Sequence, residues 1–321
     1  MSDRTTRGTA MSSIAVAVIS YNTRDLLRDC LASAYADGAV DVVVADNGST
    51  DGSIEMVGAE FPRAVLLVDR SNPGYGGASN AAIAACRADY VLLLNSDTVL
   101  RPGALESLRR YLDEHPRAAV VGPRLLNPDG TLQRSIHQFP TPTFILFNYS
   151  WIGPFVSSLP GLRKLYEASG THDRVRVVHW VMGAALAIRK SAFDSVGGFD
   201  PAFFMYYEEV DLSRRLHDAG WETHFAPVTS VTHIGGASTL RERARMYAQQ
   251  IAAAIQYAER HHPEPRVKRI EWALRFSVGS RLLADSVRHR FAGDPSRRAQ
   301  LAEDIGVWRA ALERARRPTT R

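Results

Sequence analysis

The first hundred residues alternate between short apolar runs and segments whose apolar residues are spaced as in a helix. Each run leads into polar or glycine-rich residues, which are typical of the turn after a buried strand. Strands that alternate with helices at this pace predict a parallel, doubly wound α/β sheet, with its polar loops at the carboxyl ends of the strands. The runs are 14–19, 40–45, 65–68 and 90–94, and the helical segments are 24–36, 54–60 and 78–86.

The alternation continues less regularly through the rest of the chain. Residues 133–161 are rich in aromatic residues and proline, which predicts a long mobile or interfacial loop. After Gly235-Gly236 the chain is helical in pattern. The other predicted elements are helices at 102–112 and 209–219, strands at 118–122, 223–226 and 230–233, and regular structure over 177–188.

Charge is distributed unevenly along the chain. Residues 241–321 contain 18 Lys and Arg against 9 Asp and Glu, and the whole chain has a net charge of +5, so residues 1–240 carry −4. A basic helical segment beside a mildly acidic body indicates contact with something anionic, either a membrane surface or a nucleic acid. A solvated helical face explains the same pattern equally well.

Cysteine usage and apolar segments bear on the cellular compartment. Cys30 and Cys86 lie in alanine-rich helical patterns without a Cys or His at ligand spacing, which argues against a disulfide framework or structural zinc. Residues 1–13 lack the apolar core of a signal peptide, and no run of about 18 apolar residues occurs. A cytoplasmic protein without a membrane span is therefore expected.

A short polar triplet, Asn95-Ser96-Asp97, directly follows the fourth apolar run. It is expected at the carboxyl end of a strand, where open α/β sheets bind their ligands. Asp97 is therefore a candidate residue of a metal or phosphate site. A solvated turn is the alternative, because Asn, Ser and Asp are all favoured in turns.

The loops distinguish between two classes of nucleotide site. A dinucleotide fingerprint places glycines in the first loop, but residues 20–23 contain none and the cluster Gly74-x-Gly76-Gly77 follows the third strand. In a nucleoside diphosphate site, Asp46 accepts a hydrogen bond from the base, the glycine loop admits the nucleotide, and Asp97 holds a divalent cation. Mg2+ or Mn2+ there neutralises the charge that develops on a diphosphate leaving group.

Residues 206–211 contain three carboxylates, Glu208, Glu209 and Asp211. Clustered carboxylates raise one another's pKa toward the range that suits a general base. The alternative is a helix N-terminus, where acids complement the helix dipole by ~0.3–1 kcal/mol.

The order and spacing of these motifs resemble those of the family 2 glycosyltransferases. The resemblance covers about residues 14–236 and is greatest to the bacterial rhamnosyltransferase-like branch, which builds cell-envelope polysaccharides and lipid-linked linkers. The motifs that carry it are Val18-Ile19-Ser20-Tyr21-Asn22, Val44-Ala45-Asp46-Asn47-Gly48-Ser49-Thr50-Asp51, Asn72-x-Gly74-x-Gly76-x-x-x-Asn80, Leu94-Asn95-Ser96-Asp97, and Gly183-Ala184 through Gly197-Gly198-Phe199-Asp200 to Glu208-Glu209-Val210-Asp211.

The resemblance implies a GT-A fold, in which helices flank a Rossmann-like, mostly parallel sheet, here with a C-terminal helical extension. It implies transfer from a nucleotide-diphosphate sugar with inversion by direct displacement. The implied parts are a flexible tail at 1–13, a GT-A domain at 14–240 (nucleotide half about 14–100, acceptor half about 101–240) and a basic extension at 241–321. The implied donor-binding residues are Ser20, Tyr21, Asn22, Asp46, Asn72, Gly74, Asn80, Asn95, Ser96 and Asp97.

The same resemblance implies catalytic and metal roles. Glu209 takes the place of the base that deprotonates the acceptor hydroxyl, while Glu208 and Asp211 orient the acceptor and the helix. Asp97 and His233 hold the divalent cation; without the resemblance, His233 is interpreted as a satisfied core histidine. Two positions depart from the family pattern, since Asn95 replaces the first Asp of the D-x-D motif and Glu209 stands where Asp is common. Glu208 therefore stays open as the base.

The branch resemblance favours dTDP-L-rhamnose as the donor. The expected acceptor is a hydroxyl of a cell-envelope glycan or of a polyprenyl-diphosphate-linked sugar. The alternatives are a UDP-sugar donor of the galactose, GlcNAc or galactofuranose type, and a catalytically silent nucleotide-sugar-binding module.

The basic extension has the pattern of a helix that lies in a membrane interface. With the aromatic residues 139–155, it predicts peripheral contact with the anionic inner face of the cell membrane. The alternative is packing against other helices, against the catalytic domain or in a homodimer. A nucleic-acid partner is not expected, because the extension has few stacking aromatics. The interleaved residues are Trp272, Phe276, Val278, Leu282 and Leu283 with Arg269, Arg275, Arg281 and Arg288.

Overall fold

A computed structural model describes residues 12–151, 172–235 and 243–316 of the chain. Its strands are β1 (Ile14–Ser20), β2 (Val42–Asp46), β3 (Val65–Val68), β4 (Tyr90–Asn95), β5 (Thr98–Leu100), β6 (Ala118–Leu126), β7 (Leu132–Gln133), β8 (Ile136–His137), β9 (Arg176–Val178), β10 (Trp180–Val181), β11 (Ala185–Arg189) and β12 (Glu222–His233). Its helices are α1 (Arg24–Ala36), α2 (Ser53–Glu60), α3 (Gly74–Ala85), α4 (Ala104–Glu114), α5 (Pro142–Tyr149), α6 (Lys190–Ser195), α7 (Glu208–Asp218), α8 (Arg243–His261), α9 (Glu264–Phe291) and α10 (Pro295–Arg316).

The main sheet is mixed, with most of its longer strands running in one direction. Its order is β3-β2-β1-β4-β11-β6-β12-β5, with β7 beside β6 and β9 beside β12. The first four strands in this order are parallel, as predicted. The expected mostly parallel sheet is confirmed, with one reversal beyond these four strands, where β11 lies antiparallel between β4 and β6. A buried strand has the same apolar run in either direction, so the sequence pattern does not reveal this reversal.

Strand β4 lies at the centre of the sheet and is buried on both faces. Leu92 and Leu94 pack into the core on one face, and Val91 and Leu93 pack into the core on the other. Full burial of each such side chain contributes about 1.5–3 kcal/mol. This packing holds the carboxyl end of β4, and the triplet that follows it, in a fixed position.

Two predictions about local structure are corrected. The described part of the aromatic stretch contains helix α5, because the Thr141 side chain accepts a hydrogen bond from the Phe144 N–H and Pro142 suits the first turn. The rest of that stretch, residues 152–161, lies outside the described residues. The two strands predicted at 223–226 and 230–233 form the single strand β12, with a register irregularity around Pro227, which has no N–H to donate.

The C-terminal helices pack on the sheet domain through α5 and α7. Helices α8, α9 and α10 form one apolar cluster with these two helices, and Tyr257 is fully buried within it. His261 on α8 also bonds Asp211 on α7, with Nε2 and Oδ1 2.7 Å apart. None of the described helices is both long and apolar enough to cross a membrane.

Candidate active site

A cavity of about 470 Å³ opens where β1 and β4 end and α7 begins. We call it the sheet-edge cavity. Loops after parallel strands form its floor, and the acid-bearing first turn of α7 forms part of its wall, as expected for the ligand crevice of an open α/β sheet. Of the predicted site residues, it is lined by Ser20, Tyr21, Asn95, Ser96, Asp97, Glu208, Glu209 and His233.

Strand pairing brings Asp97 and His233 together from distant parts of the chain. Strand β5 begins at Thr98, directly after Asp97, and Thr98 pairs with His233 at the end of β12. His233 Nε2 and Asp97 Oδ1 are 3.4 Å apart. The Gly235 N–H donates to Asp97 Oδ2, so the carboxylate is also fixed by backbone.

The surroundings of this pair suit a divalent cation. His233 Nδ1 lies 2.7 Å from Gln133 Oε1, an acceptor, so a neutral ring carries its proton on Nδ1 and turns the Nε2 lone pair toward Asp97. Nε2 and Oδ1 would both be available to hold a divalent cation. Neighbouring ligands of an octahedral ion bound at about 2.1 Å lie about 3 Å apart, close to the observed separation.

These two side chains do not complete a metal site by themselves. Among the residues that the structure describes, no group of three or more His, Cys, Asp or Glu side chains could hold a metal ion. Asn95, which occupies the first position of the triplet, adds no charge. Asp97 and His233 would therefore hold a cation only together with further ligands that are not His, Cys, Asp or Glu side chains of the described residues.

The floor of the cavity presents polar groups to a ligand. Ser20 Oγ and Asn47 Oδ1 are buried and have no hydrogen-bond partner in the described part of the chain. Buried polar atoms are normally satisfied, so these two are suited to bonds with a bound molecule. The Thr23 and Ser96 hydroxyls instead bond each other at 2.7 Å and brace the β1 and β4 loops.

The glycine-rich loop, residues 74–77, packs directly beneath the acid motif, residues 206–211, which contains Glu208, Glu209 and Asp211. Gly74 has φ +78°, and a Cβ at this position would lie 2.1 Å from the Phe204 carbonyl oxygen, so no larger residue fits. The next residue, Tyr75, donates its hydroxyl proton to the Gly183 carbonyl at 2.7 Å. The loop thus contacts two other segments of the chain, and their residues Gly183 and Met205 line the cavity.

Helix α7 starts from a strained turn. Tyr206 and Tyr207 both have φ +68°, an unfavourable conformation for residues other than glycine. Such strain costs of order 1–3 kcal/mol per residue and is found chiefly at functional sites. The turn directs Glu208 and Glu209 into the cavity as the first two residues of the helix.

Both acids are held with perturbed pKa values. Burial raises the pKa of Glu209 to about 6, against hydrogen bonds from backbone N–H groups that include Gly183. Burial and the charge of Glu209 raise the pKa of Glu208 well above its usual range. One carboxylate oxygen of each has no hydrogen-bond partner among the described residues. The pair is thus chemically suited to accept a proton near neutral pH.

The remaining predicted residues lie outside the cavity lining and bond to the protein itself. Both Asp46 oxygens accept hydrogen bonds from Ser49, and Asn22 Oδ1 accepts one from the Thr50 N–H. The Asn80 side chain makes two bonds with the backbone of Phe199. The other three are Asn72, which accepts from the Gly74 N–H; Gly74 itself; and Asp211, fully buried between Arg215 and His261.

Several lining residues were not among the predicted site residues. Asn47 lies within a quoted motif, and Tyr75 lies in the glycine loop, so their positions carried a signal. His137, Trp180 and Gln250 line the cavity from segments whose patterns indicated an aromatic loop, regular structure and a helix but no ligand site. Nothing in their local sequence distinguishes them from ordinary packing residues.

Comparison with known proteins agrees with this architecture. A family model described as glycosyl transferase family 2 matches residues 15–197. The chain is 34% identical over 283 residues to the N-acetylglucosaminyl-diphospho-decaprenol L-rhamnosyltransferase of Mycobacterium tuberculosis, covering 84% of this chain and 91% of that protein. It is 25% identical over 229 residues to the rhamnosyltransferase WbbL of Escherichia coli K12, covering 68% of this chain and 83% of that protein.

The fold is similar to that of a solved glycosyltransferase. The mannosyltransferase PcManGT from Pyrobaculum calidifontis, in complex with GDP-Man and Mn2+, superposes with a TM-score of 0.53 and 17% identity, covering 96% of this chain and 85% of that one. The mixed sheet and its flanking helices are the GT-A fold. The family match over more than half of the chain, with the identity over most of its length, shows that the chain belongs to glycosyl transferase family 2.

Proposed function

We propose that this glycosyltransferase transfers L-rhamnose from dTDP-L-rhamnose to a hydroxyl of a polyprenyl-diphosphate-linked sugar, with inversion at the anomeric carbon. The observation that carries the proposal is the meeting, in one cavity, of the Asp97–His233 pair and the Glu208–Glu209 pair. The relative named N-acetylglucosaminyl-diphospho-decaprenol L-rhamnosyltransferase supports L-rhamnose as the transferred sugar and a polyprenyl-diphosphate-linked sugar as the acceptor.

The donor is proposed to lie on the floor of the sheet-edge cavity. Ser20 and Asn47 offer unsatisfied polar atoms to the nucleoside, and Asn95 stands beside them at the end of β4. Asp97 and His233 would hold a divalent cation on the diphosphate. The cation would neutralise the negative charge that develops on the leaving group. The Mn2+ in the complex of the structural relative supports a cation of this kind.

Glu209 is proposed as the base. It accepts the proton of the acceptor hydroxyl while that oxygen bonds the anomeric carbon from the face opposite the diphosphate. The bond from the anomeric carbon to the diphosphate oxygen breaks, and its electron pair leaves with the diphosphate, so the configuration inverts. Glu208, whose pKa burial and the charge of Glu209 raise well above its usual range, is proposed to stay protonated and orient the acceptor. Asp211 is proposed to orient the helix, because it joins α7 to α8.

The test is turnover by purified full-length protein with Mg2+ or Mn2+. Release of dTDP from dTDP-L-rhamnose is expected in the presence of GlcNAc linked through a diphosphate to a prenyl chain. Turnover of a UDP-sugar with no response to dTDP-rhamnose overturns the proposed donor. Nucleotide-sugar binding without turnover of any donor identifies a silent binding module instead.

We further propose that helix α9 contacts the inner face of the cell membrane. Trp272, Phe276, Leu283, Val287 and Phe291 are 49–78% exposed and recur every four or seven residues, so they form one stripe along the helix. Lys268, Arg269 and Arg290 are exposed beside it, as suits an anionic interface. Of the apolar residues predicted to lie in the interface, Trp272, Phe276 and Leu283 are exposed, whereas Val278 and Leu282 pack inward.

Vesicle flotation tests this contact. The full-length chain is expected to bind vesicles containing anionic phospholipid at low salt, and Trp272→Ala with Phe276→Ala is expected to weaken binding. Val228→Ala, at an exposed apolar site on β12 away from the stripe, is the control. If the wild-type chain does not bind vesicles but forms a dimer in solution that Trp272→Ala with Phe276→Ala disrupts, α9 is assigned to a homodimer interface.

A further inference from the structure

A second cavity, of about 360 Å³, adjoins the sheet-edge cavity. We call it the helical cavity, because α5, α7, α8, α9 and α10 all contribute to its wall. Its volume is in the range of about 300–1,000 Å³ that is usual for ligand pockets. The two cavities share Glu209 together with His137, Trp180, Tyr206 and Gln250.

The wall of the helical cavity is aromatic. Tyr247 on α8 packs edge-on against Trp308 on α10, with ring centroids 4.8 Å apart, and Tyr149 on α5 packs against Tyr247 at 6.2 Å. The Trp308 indole N–H donates to Asp285, which fixes the ring. Aromatic rings packed in this way offer rigid faces to the C–H face of a sugar ring.

One cationic side chain, Arg281 on α9, reaches into this aromatic wall. Its Nε donates to the Tyr149 carbonyl oxygen at 2.7 Å, and its guanidinium carbon lies 5.0 Å from the centre of the Trp308 ring. These contacts fix the guanidinium plane, and within the described part of the chain only one of its three nitrogens, Nε, donates to a hydrogen-bond acceptor.

Arg281 differs from its neighbours on the same helix. Arg275 forms an ion pair with Glu271, and Arg288 forms one with Asp285. No Asp or Glu among the described residues forms an ion pair with Arg281, although Asp285 lies one turn away. A half-buried guanidinium without a carboxylate partner is suited to an anionic ligand, and its planar donors match phosphate oxygens.

We propose that the helical cavity binds the sugar-phosphate end of the acceptor, with Arg281 on the phosphate that carries the sugar. The sugar ring then lies against the half-buried Tyr247, which Trp308 holds in place, and its reacting hydroxyl faces Glu209, which borders both cavities. The C-terminal helices thereby determine which acceptor is used. This inference rests on the proposed function, because it assigns the acceptor of that reaction to a place.

The test compares two acceptors in wild type and in Arg281→Gln. One acceptor is GlcNAc joined by a diphosphate to a farnesyl chain, and the other is GlcNAc joined directly to an octyl chain. Arg281→Gln is expected to raise KM for the diphosphate acceptor roughly ten- to hundredfold, the size of a lost charge-assisted hydrogen bond. KM for the octyl acceptor and for the donor should not change. Arg281→Lys should recover part of the effect, and Arg298→Gln, an exposed site on helix α10, should have none.

A second measurement separates this inference from the proposed reaction. Calorimetric binding of the diphosphate acceptor, without donor, should weaken in Arg281→Gln by the same factor, while binding of dTDP-rhamnose verifies that the variant is folded. If no donor is turned over but this Arg281-dependent binding remains, the proposed function fails and the site stands. If turnover occurs but Arg281→Gln affects both acceptors equally or raises the donor KM, the function stands and the site assignment is wrong.

Discussion

The sheet-edge cavity and the helical cavity meet at Glu209 but are built by different means. The first is bounded by loops whose ends are tied to neighbouring strands, as where the Ser96 N–H donates to the Ile19 carbonyl oxygen. The second is bounded by side chains from helices that are far apart in sequence, packed through rings such as Tyr247 and Trp308. Backbone hydrogen bonds fix the positions of individual polar groups in the sheet-edge cavity, whereas side-chain packing determines the shape of the helical cavity. We therefore expect changes in the two cavities to separate into effects on the donor and effects on the acceptor.

The largest effect is expected from Asp97→Asn, which removes the only carboxylate of the Asp97–His233 pair while preserving its shape. Turnover should fall on the order of 10³-fold or more, because the cation that neutralises the leaving group loses its anionic ligand. Steady-state kinetics over a range of Mn2+ concentrations measure this loss. Binding of the diphosphate acceptor should be unchanged, since Asp97 does not line the helical cavity.

Asp294→Asn is the matched control for that variant. Asp294 is exposed, accepts hydrogen bonds from Ser296, and lines neither cavity. Near-normal turnover by Asp97→Asn with full dependence on Mn2+ would contradict the role proposed for Asp97. A loss of acceptor binding in this variant would contradict the separation of the two cavities.

Glu209→Gln should follow, with turnover lower by at least about 10²-fold, because an amide cannot accept the hydroxyl proton. Both substrates should still bind, since the variant keeps the size of a side chain that borders both cavities. Pre-steady-state dTDP release measures the loss of turnover, and calorimetry measures the binding of each substrate. Of the variants in the two cavities, this one should be the clearest case of lost chemistry without lost binding.

Glu208→Gln is the companion variant that decides between the two acids. If Glu208 is protonated at neutral pH, its amide replacement keeps a hydrogen-bond donor, and turnover should fall much less than in Glu209→Gln. The opposite ranking would make Glu208 the base. Equal, small effects in both variants would remove the acid pair from the mechanism.

The contact between Gly74 and Phe204 joins the floor of the sheet-edge cavity to the acid motif, so Gly74→Ala should disturb both cavities. A Cβ there clashes with backbone in addition to its positive φ, and the free energy of unfolding should fall by about 2–4 kcal/mol. Gly38→Ala shares the positive φ but meets no atom within 4 Å, so it should lose only about 1–2 kcal/mol. Urea unfolding measures both, and equal losses would show that the close approach is unimportant.

The parts that could be predicted from sequence are those with local signals. Short apolar runs ended by polar residues located β1 to β4, and the same loops supplied Ser20, Asn95 and Asp97 of the cavity. The position of His233 beside Asp97 depends on the antiparallel β5–β12 pairing, and it was predicted only through the family resemblance. Pairing between strands more than a hundred residues apart leaves no local pattern.

The helical cavity illustrates what local signals cannot supply. Arg281 was singled out as part of a basic, interface-lying helix, yet its side chain faces inward to Trp308. On α9 the buried Val278 and the exposed Phe276 are two residues apart and equally apolar, so composition does not tell which face packs. That choice depends on the helices that cover α9, which is tertiary information.

The pH dependence of turnover should report the ionisation of Glu209, the residue at which the two cavities meet. Burial raises the pKa of Glu209 to about 6, and a base acts only when it is ionised. With the donor and acceptor below saturation, kcat/KM should fall about tenfold per pH unit below pH 6 and level off above it. Residual activity of Glu209→Gln should lack this break. A break in that variant at the same pH would assign the titration to another group.

The same burial should cost stability, and removing the charge should recover it. Glu209 has a folded-state pKa of about 6 against an ordinary value of 4.5, so the folded state binds protons more tightly. Its favourable contribution is complete below pH 4.5 and is lost as the pH rises through 6. At pH 7, Glu209→Gln should therefore raise the free energy of unfolding by about 1–2 kcal/mol, with little gain at pH 4. Urea unfolding at both values measures this, with exposed Glu55→Gln as the control. Lower stability at pH 7 would mean that the Glu209 carboxylate is held by favourable contacts, and the base would then have to be sought in Glu208.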